Sequence, residues 1–137
     1  MIRIDKKLEH ALIVLSHLAI SNQKKLYTAK ELAGIYNIAF DSVSRVMQRM
    51  ASKDFLISIQ GPSGGYKLSE NIGDKTLLEL LNTITKKPVK IAKCIDGECD
   101  KRDICNILNP VENLNNKLTE FYNSIKLNEL LYLKGIK

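Results

Sequence analysis

Tryptophan is absent, and only eight other aromatic residues are present, five Tyr and three Phe. A platform that stacks the bases of a single strand needs several such rings, so that class of binder is disfavoured. Histidine is almost as scarce. Its two copies, His10 and His17, sit seven residues apart in one amphipathic stretch. No Ser-His-Asp or Cys-His arrangement and no phosphate loop with its Lys can be assembled, so the expectation is that the chain is not an enzyme. No apolar run approaches the roughly 18 residues of a membrane span. The start, Met1 to Lys7, is charged from Arg3 onward, and the apolar piece Ala11–Leu15 is too short for a signal peptide. These features predict a cytoplasmic chain with no membrane segment. At 137 residues, without repeats or low-complexity tracts, it has the length of one domain.

Cysteine is rare but clustered. Cys94, Cys99 and Cys105 all lie within twelve residues. An odd number cannot pair off internally, and a cytoplasm does not keep structural disulfides. Clustered thiols in such a chain point to metal or redox chemistry. The spacing is C-x4-C-x5-C. Thiolates are soft donors suited to iron–sulfur clusters, zinc or copper(I), and structural zinc usually sits in tighter C-x2-C knuckles. Lys93, Lys101 and Arg102 can offset thiolate and sulfide charge.

Basic residues outnumber acidic ones, 21 to 15, for a net charge of +6. Between Lys24 and Lys67 there are seven basic residues (24, 25, 30, 45, 49, 53, 67) and three acidic ones (31, 41, 54), which is +4 of the whole +6. That concentration favours a polyanionic partner.

Leu8, Leu12, Leu15 and Ala19, with Ala11 and Leu18 beside them, predict a first helix over about 5–21. Thr28 and Glu31 form a capping-box signature before a short helix with apolar Leu32, Ala33 and Tyr36. Asn37–Phe40 is a tight connection. Asp41 or Ser42 can cap the next helix, whose apolar positions are Val43, Val46, Met47 and Met50. Phe55–Gln60 reads as a strand, Gly61-Pro62-Ser63-Gly64-Gly65 as a turn and Tyr66-Lys67-Leu68 as a second strand, together a hairpin. Thr76 and Glu79 repeat the capping box before a helix to about Thr85, and Lys86-Lys87-Pro88 stops it. Residues 89–108 read as irregular. Asn109-Pro110 opens a long helix with the stripe Val111, Leu114, Leu118, Phe121 and Ile125. The tail, with Leu127, Leu130, Leu131 and Leu133, is expected to pack back on the body.

The fold class is therefore mainly α with a small β-hairpin: a winged helix-turn-helix plus a long C-terminal helix. The segments are a DNA-binding domain over 1–85, a cysteine loop over 86–109, and a helix and tail over 110–137. The helical period that buries Val43, Val46, Met47 and Met50 turns Ser42, Ser44, Arg45, Gln48, Arg49 and Ser52 away from the core. Arg forks onto guanine, Gln onto adenine, and Ser reaches base or phosphate, so this face suits a major groove. The candidate contacts to double-stranded DNA are Thr28, Ser42, Ser44, Arg45, Gln48 and Arg49, with Gln60, Ser63, Gly64, Gly65, Tyr66 and Lys67 on the wing. Glycines there let backbone approach a phosphate or minor groove closely. A solvated helix beside a plain hairpin turn would carry the same pattern.

The order of these parts resembles the Rrf2 family of bacterial transcription regulators over almost the entire chain. The segment Gly61-Pro62-Ser63-Gly64-Gly65-Tyr66-Lys67-Leu68 is similar to the family's R-G-P-G-G-G-Y-x-L wing, with Gln60 where Arg is usual and Ser63 replacing the first of three glycines. The resemblance implies a homodimer on a palindromic operator, joined through the long helix at 110–127, whose stripe would serve equally as core. The three cysteines resemble those of the IscR-like and NsrR-like members and imply an iron–sulfur cluster, 4Fe-4S in preference to 2Fe-2S. IscR-like members take their fourth ligand three residues after the last Cys, where this chain has Leu108. NsrR-like members take an acidic residue early in the first helix of the other subunit, which implies Glu9, with the adjacent His10 as the alternative. The expected function is an operator-binding regulator, in the first place a repressor, whose cluster senses nitric oxide, redox state or iron–sulfur status. The alternative is a cluster-free regulator of the same fold answering to a metabolite, thiol oxidation or a partner protein.

Overall fold

The structure is a computed structural model and describes residues 5–21, 25–86, 90 and 100–131. Helix α1 (Lys6–Ile20) starts where Asp5 accepts a hydrogen bond from the Lys7 amide at 2.7 Å. It buries Leu8, Ala11, Val14, Leu15 and Leu18, while Leu12 and Ala19 pack on the edge of the same core. Helix α2 (Ala29–Tyr36) opens on the full capping box. The Glu31 amide donates to Thr28 Oγ1 at 3.1 Å, and the Thr28 amide donates to Glu31 Oε1 at 3.3 Å. Leu32 and Ala33 are buried as expected, but Tyr36 is exposed, because the short helix ends there on the solvent side.

Asn37 then adopts the left-handed conformation (φ 54°), and its amide returns to the Ala33 carbonyl. Asn is among the few residues that tolerate this region. This reversal brings helix α3 (Phe40–Ser52) in earlier than the sequence suggested. Its N-cap is Ala39, with no side-chain cap, rather than Asp41 or Ser42. The amides of Ser42 and Val43 already donate to the Ala39 carbonyl, so Asp41 and Ser42 lie inside the first turn. Val43, Val46, Met47 and Met50 are all buried.

The chain leaves α3 through Asp54 (φ 62°), and the Phe55 amide closes the turn onto the Met50 carbonyl at 2.9 Å. Phe55 is thus a core residue ahead of the sheet rather than part of it. Strands β1 (Leu56–Ile59) and β2 (Gly65–Leu68) pair antiparallel, Leu56 with Leu68 and Ile59 with Gly65. Tyr27 forms a further bridge on the other edge of β2, exchanging two backbone hydrogen bonds with Tyr66 at 2.8 and 3.1 Å. The hairpin is thereby fixed to the entry of α2.

A 3-10 turn (Ile72–Asp74) leads to α4 (Leu77–Thr85), which opens on the second capping box, Thr76 with Glu79. A second 3-10 turn (Arg102–Ile104) precedes α5 (Leu108–Ser124). α5 begins two residues before Pro110, so proline stands third in the first turn rather than first, still within the turn whose amides need no intrahelical partner. Helix α6 (Leu127–Leu131) folds back as expected. Its Leu127 is fully buried, the Leu127 amide donates to the Lys75 carbonyl at 2.8 Å, and Leu131 packs on the core. Leu133 lies outside the described residues. The buried residues of α1, α2, α3, α4 and α6 form one apolar cluster, which carries the outward face of α3 on one side.

Candidate nucleic-acid interface

Because one face of α3 is locked into the core, its opposite face is set by helical geometry alone. Arg45, Gln48 and Ser52 are exposed, while Ser42, Ser44 and Arg49 are half-buried. Gln48 Nε2 donates to Ser44 Oγ at 3.2 Å, one turn back, which holds the amide along the helix. Ser52 Oγ donates to the Arg49 carbonyl, three residues back along the helix, at 2.7 Å.

Arg49 departs from the expectation of a free base-reading side chain. Its Nη1 donates to the Ile84 carbonyl near the C-terminal end of α4. A cation there satisfies a carbonyl that the helix itself leaves open and meets the negative end of the helix dipole. One of its five donors is therefore committed to the fold. Arg45, four residues earlier, is exposed and has no such tie among the described residues.

Thr28 spends its hydroxyl on the α2 cap, donating to Glu31 Oε1 at 3.3 Å while accepting from the Glu31 amide. On the wing, Gln60 and Ser63 are exposed, and Lys67 is half-buried. Tyr66 is half-buried with its ring against the core. The glycines have a reason internal to the fold. A Cβ at Gly64 would lie 2.1 Å from the Ile59 carbonyl oxygen, and one at Gly65, where φ is 152°, would lie 2.9 Å from the Tyr27 carbonyl oxygen. The tight turn and the Tyr27 bridge admit no side chain at either place.

The sequence pattern assigns His17 no role beyond its place in the first amphipathic stretch. It is half-buried, with Nδ1 2.7 Å from the Tyr36 hydroxyl, and it meets the rings of Tyr27 and Tyr36 edge-on at 4.7 and 5.5 Å. It joins α1 to α2 and to the strand edge that holds the wing, a three-way contact with no local signature.

Of the candidate cluster ligands, Cys94 and Cys99 lie outside the described residues. Cys105 is a half-buried free thiol three residues before α5. Glu9 and His10 are half-buried on the first turns of α1, and the Glu9 carboxylate has an exposed ion pair with Lys6 at 3.3 Å. Among the described residues no three His, Cys, Asp or Glu side chains gather where they could hold a metal ion, although thiolates with a carboxylate are a donor set that iron accepts. Among the described residues no helix is long and apolar enough to cross a membrane.

The family model described as Rrf2, iron-dependent transcriptional regulator, matches residues 4–132. The chain belongs to the Rrf2 family. The HTH-type transcriptional regulator IscR of Pectobacterium atrosepticum is 22% identical over 135 residues, 98% of this chain and 82% of that one. Among solved structures, CymR, the global cysteine regulator of B. subtilis, superposes with a TM-score of 0.67 at 17% identity, covering 96% of this chain and 98% of that one. T. potens IscR gives the same TM-score at 14% identity, covering 96% and 87%. This Rrf2 protein is thus a transcriptional regulator, as its relatives are, and not an enzyme. The winged helix-turn-helix fold expected from the sequence is the one it shares with them.

Proposed function

We propose that this protein is a cytoplasmic homodimer that binds a palindromic operator in double-stranded DNA. The outward face of α3 carries this reading. Ser44, Arg45 and Gln48 are presented away from a fully apolar buried face, beside a glycine-built wing, in a stretch from Lys24 to Lys67 with a net charge of +4. Arg45 and Gln48 are the base-reading pair, able to fork onto guanine and adenine. Ser42 and Ser44 stand beside them, while Gln60, Ser63 and Lys67 meet the backbone near the wing. Thr28, Gly64, Gly65 and Tyr66 contribute by holding those elements and by their backbone amides. A set of immobilised genomic fragments, footprinted with the purified protein, tests this. Protection of a two-fold site supports it, and uniform weak binding to all fragments overturns it.

The regulatory part of the proposal is a cluster held by Cys94, Cys99 and Cys105, 4Fe-4S in preference to 2Fe-2S, with Glu9 of the other subunit as fourth ligand and His10 as the alternative. The three clustered cysteines, in a family whose model is described as iron-dependent, support it. When bound, such a cluster supplies a centre that reacts with nitric oxide and oxygen and reports iron supply. Cys105 is three residues from the start of α5, so a ligand on its thiolate is fixed to that helix. Glu9 would tie α1 of one subunit to α5 of the next and so set the spacing of the two α3 helices. Protein purified without oxygen is expected to be coloured and to hold iron and sulfide, both lost in Cys94→Ala. Equal operator affinity with and without the cluster would overturn the switch, though not the DNA binding.

A further inference from the structure

A depression between the second half of α3 and the C-terminal end of α4 is lined by Arg45, Gln48, Arg49, Ser52 and Lys86. Resting on the DNA-binding reading above, we propose that it is a phosphate clamp, in which Lys86 joins Arg45 and Arg49 to hold one phosphodiester of duplex DNA beside the base-reading face. Three cations and two neutral hydrogen-bonding side chains border it, and no carboxylate is among the described residues that do. Cations gathered around one hollow repel each other unless an anion is shared between them. Arg49 is pre-set for this. Its bond to the Ile84 carbonyl fixes the guanidinium and leaves four donors uncommitted by it.

Lys86 supplies the independent observation. It caps α4 in the left-handed conformation, at φ 58° and ψ 18°, where Gly or Asn is usual. That cap ends α4 and leaves a cation at the border of the hollow. The location fits a phosphate better than a base. In a helix-turn-helix the first turns of the recognition helix reach the base edges. Ser52 is the last residue of α3, and Arg49 stands three residues before it. Side chains there flank the groove, where most contacts go to phosphate oxygens. Nothing local marks Lys86, because it reaches the site from 37 residues beyond Arg49.

Salt dependence separates a phosphate contact from a structural one. The full chain is titrated onto a fluorescent duplex of about 30 base pairs at several KCl concentrations, since each phosphate neutralised adds about 0.9 to the slope of log affinity against log salt. Lys86→Gly suits the positive φ, so the backbone is retained. It is expected to lower the slope by about 0.9 per clamp engaged, shrinking the affinity ratio between about 50 and 200 mM KCl by about 3.5-fold. Preference among duplex sequences should stay unchanged, as for any backbone contact. Arg45→Gln should lower the slope and also alter preference. A Lys86→Gly slope equal to wild type overturns the clamp while leaving DNA binding intact. If that slope is unchanged and inorganic phosphate at constant ionic strength saturably shifts the Lys86 and Arg49 amide signals, the hollow is a free-anion site and the clamp is again overturned. Absence of any salt-dependent duplex binding by wild type removes the DNA-binding reading itself.

Discussion

Helices α3 and α5 are both amphipathic, yet the protomer treats them in opposite ways. In α3 Val43, Val46, Met47 and Met50 are buried and the polar side faces out, with only Phe40 of the first turn an exposed large apolar residue. In α5 the apolar stripe itself faces out. Leu114 is 51% exposed and Phe121 58%, while the only buried residue of the helix is Asn115. Ile107, just before the helix, is 55% exposed and continues the same seven-residue interval. Val111 and Leu118 alternate with them, half-buried. A 3-4 spacing of this kind is the seam of a helix pair. The contrast teaches what each face offers: α3 presents charge and hydrogen-bonding groups, the face proposed above to meet DNA, and α5 presents apolar surface that water does not reward.

Several substitutions break or sharpen that contrast. If α5 is the proposed dimer contact, Phe121→Asp puts a charge near the C-terminal end of its apolar stripe and is expected to weaken self-association by at least about 100-fold. Sedimentation over a concentration series reads it, and an unchanged dimer would place the interface elsewhere. Gly64→Ala should cost about 2–4 kcal/mol in thermal unfolding, because its Cβ has nowhere to go beside the Ile59 carbonyl. Arg45→Ala should cost about 1–3 kcal/mol of operator binding and relax the preference at one base pair. Arg49→Ala is the sharper probe of the pair. It uncovers the Ile84 carbonyl and should cost about 1–2 kcal/mol of stability, with sequence preference retained. If Arg49→Ala instead relaxes preference as Arg45→Ala does, both arginines read bases. Thr28→Ala removes a helix cap and should cost about 1 kcal/mol of stability, with little effect on specificity.

The α3 core, both capping boxes and the hairpin were legible because each is a local pattern. Val43, Val46, Met47 and Met50 announce a buried face by period, and Thr28 with Glu31 announces a helix start within four residues. The start of α3 was misplaced because Asp41 and Ser42 have cap chemistry, while the geometry set by Asn37 had already begun the helix at Phe40. Of the candidate site, the exposed Arg45 and Gln48 follow from the same period. The anchoring of Arg49 does not, since its partner lies 35 residues away.

What the chain alone determined is everything set by hydrogen bonds and side-chain period within a few turns: element order, caps, the glycine turn and which side of α3 is polar. Only the tertiary structure decided which polar side chains remain free and which apolar faces remain uncovered. Arg49 and His17 acquire their partners from elements distant in sequence, and such contacts form only when a single shared core brings those elements together.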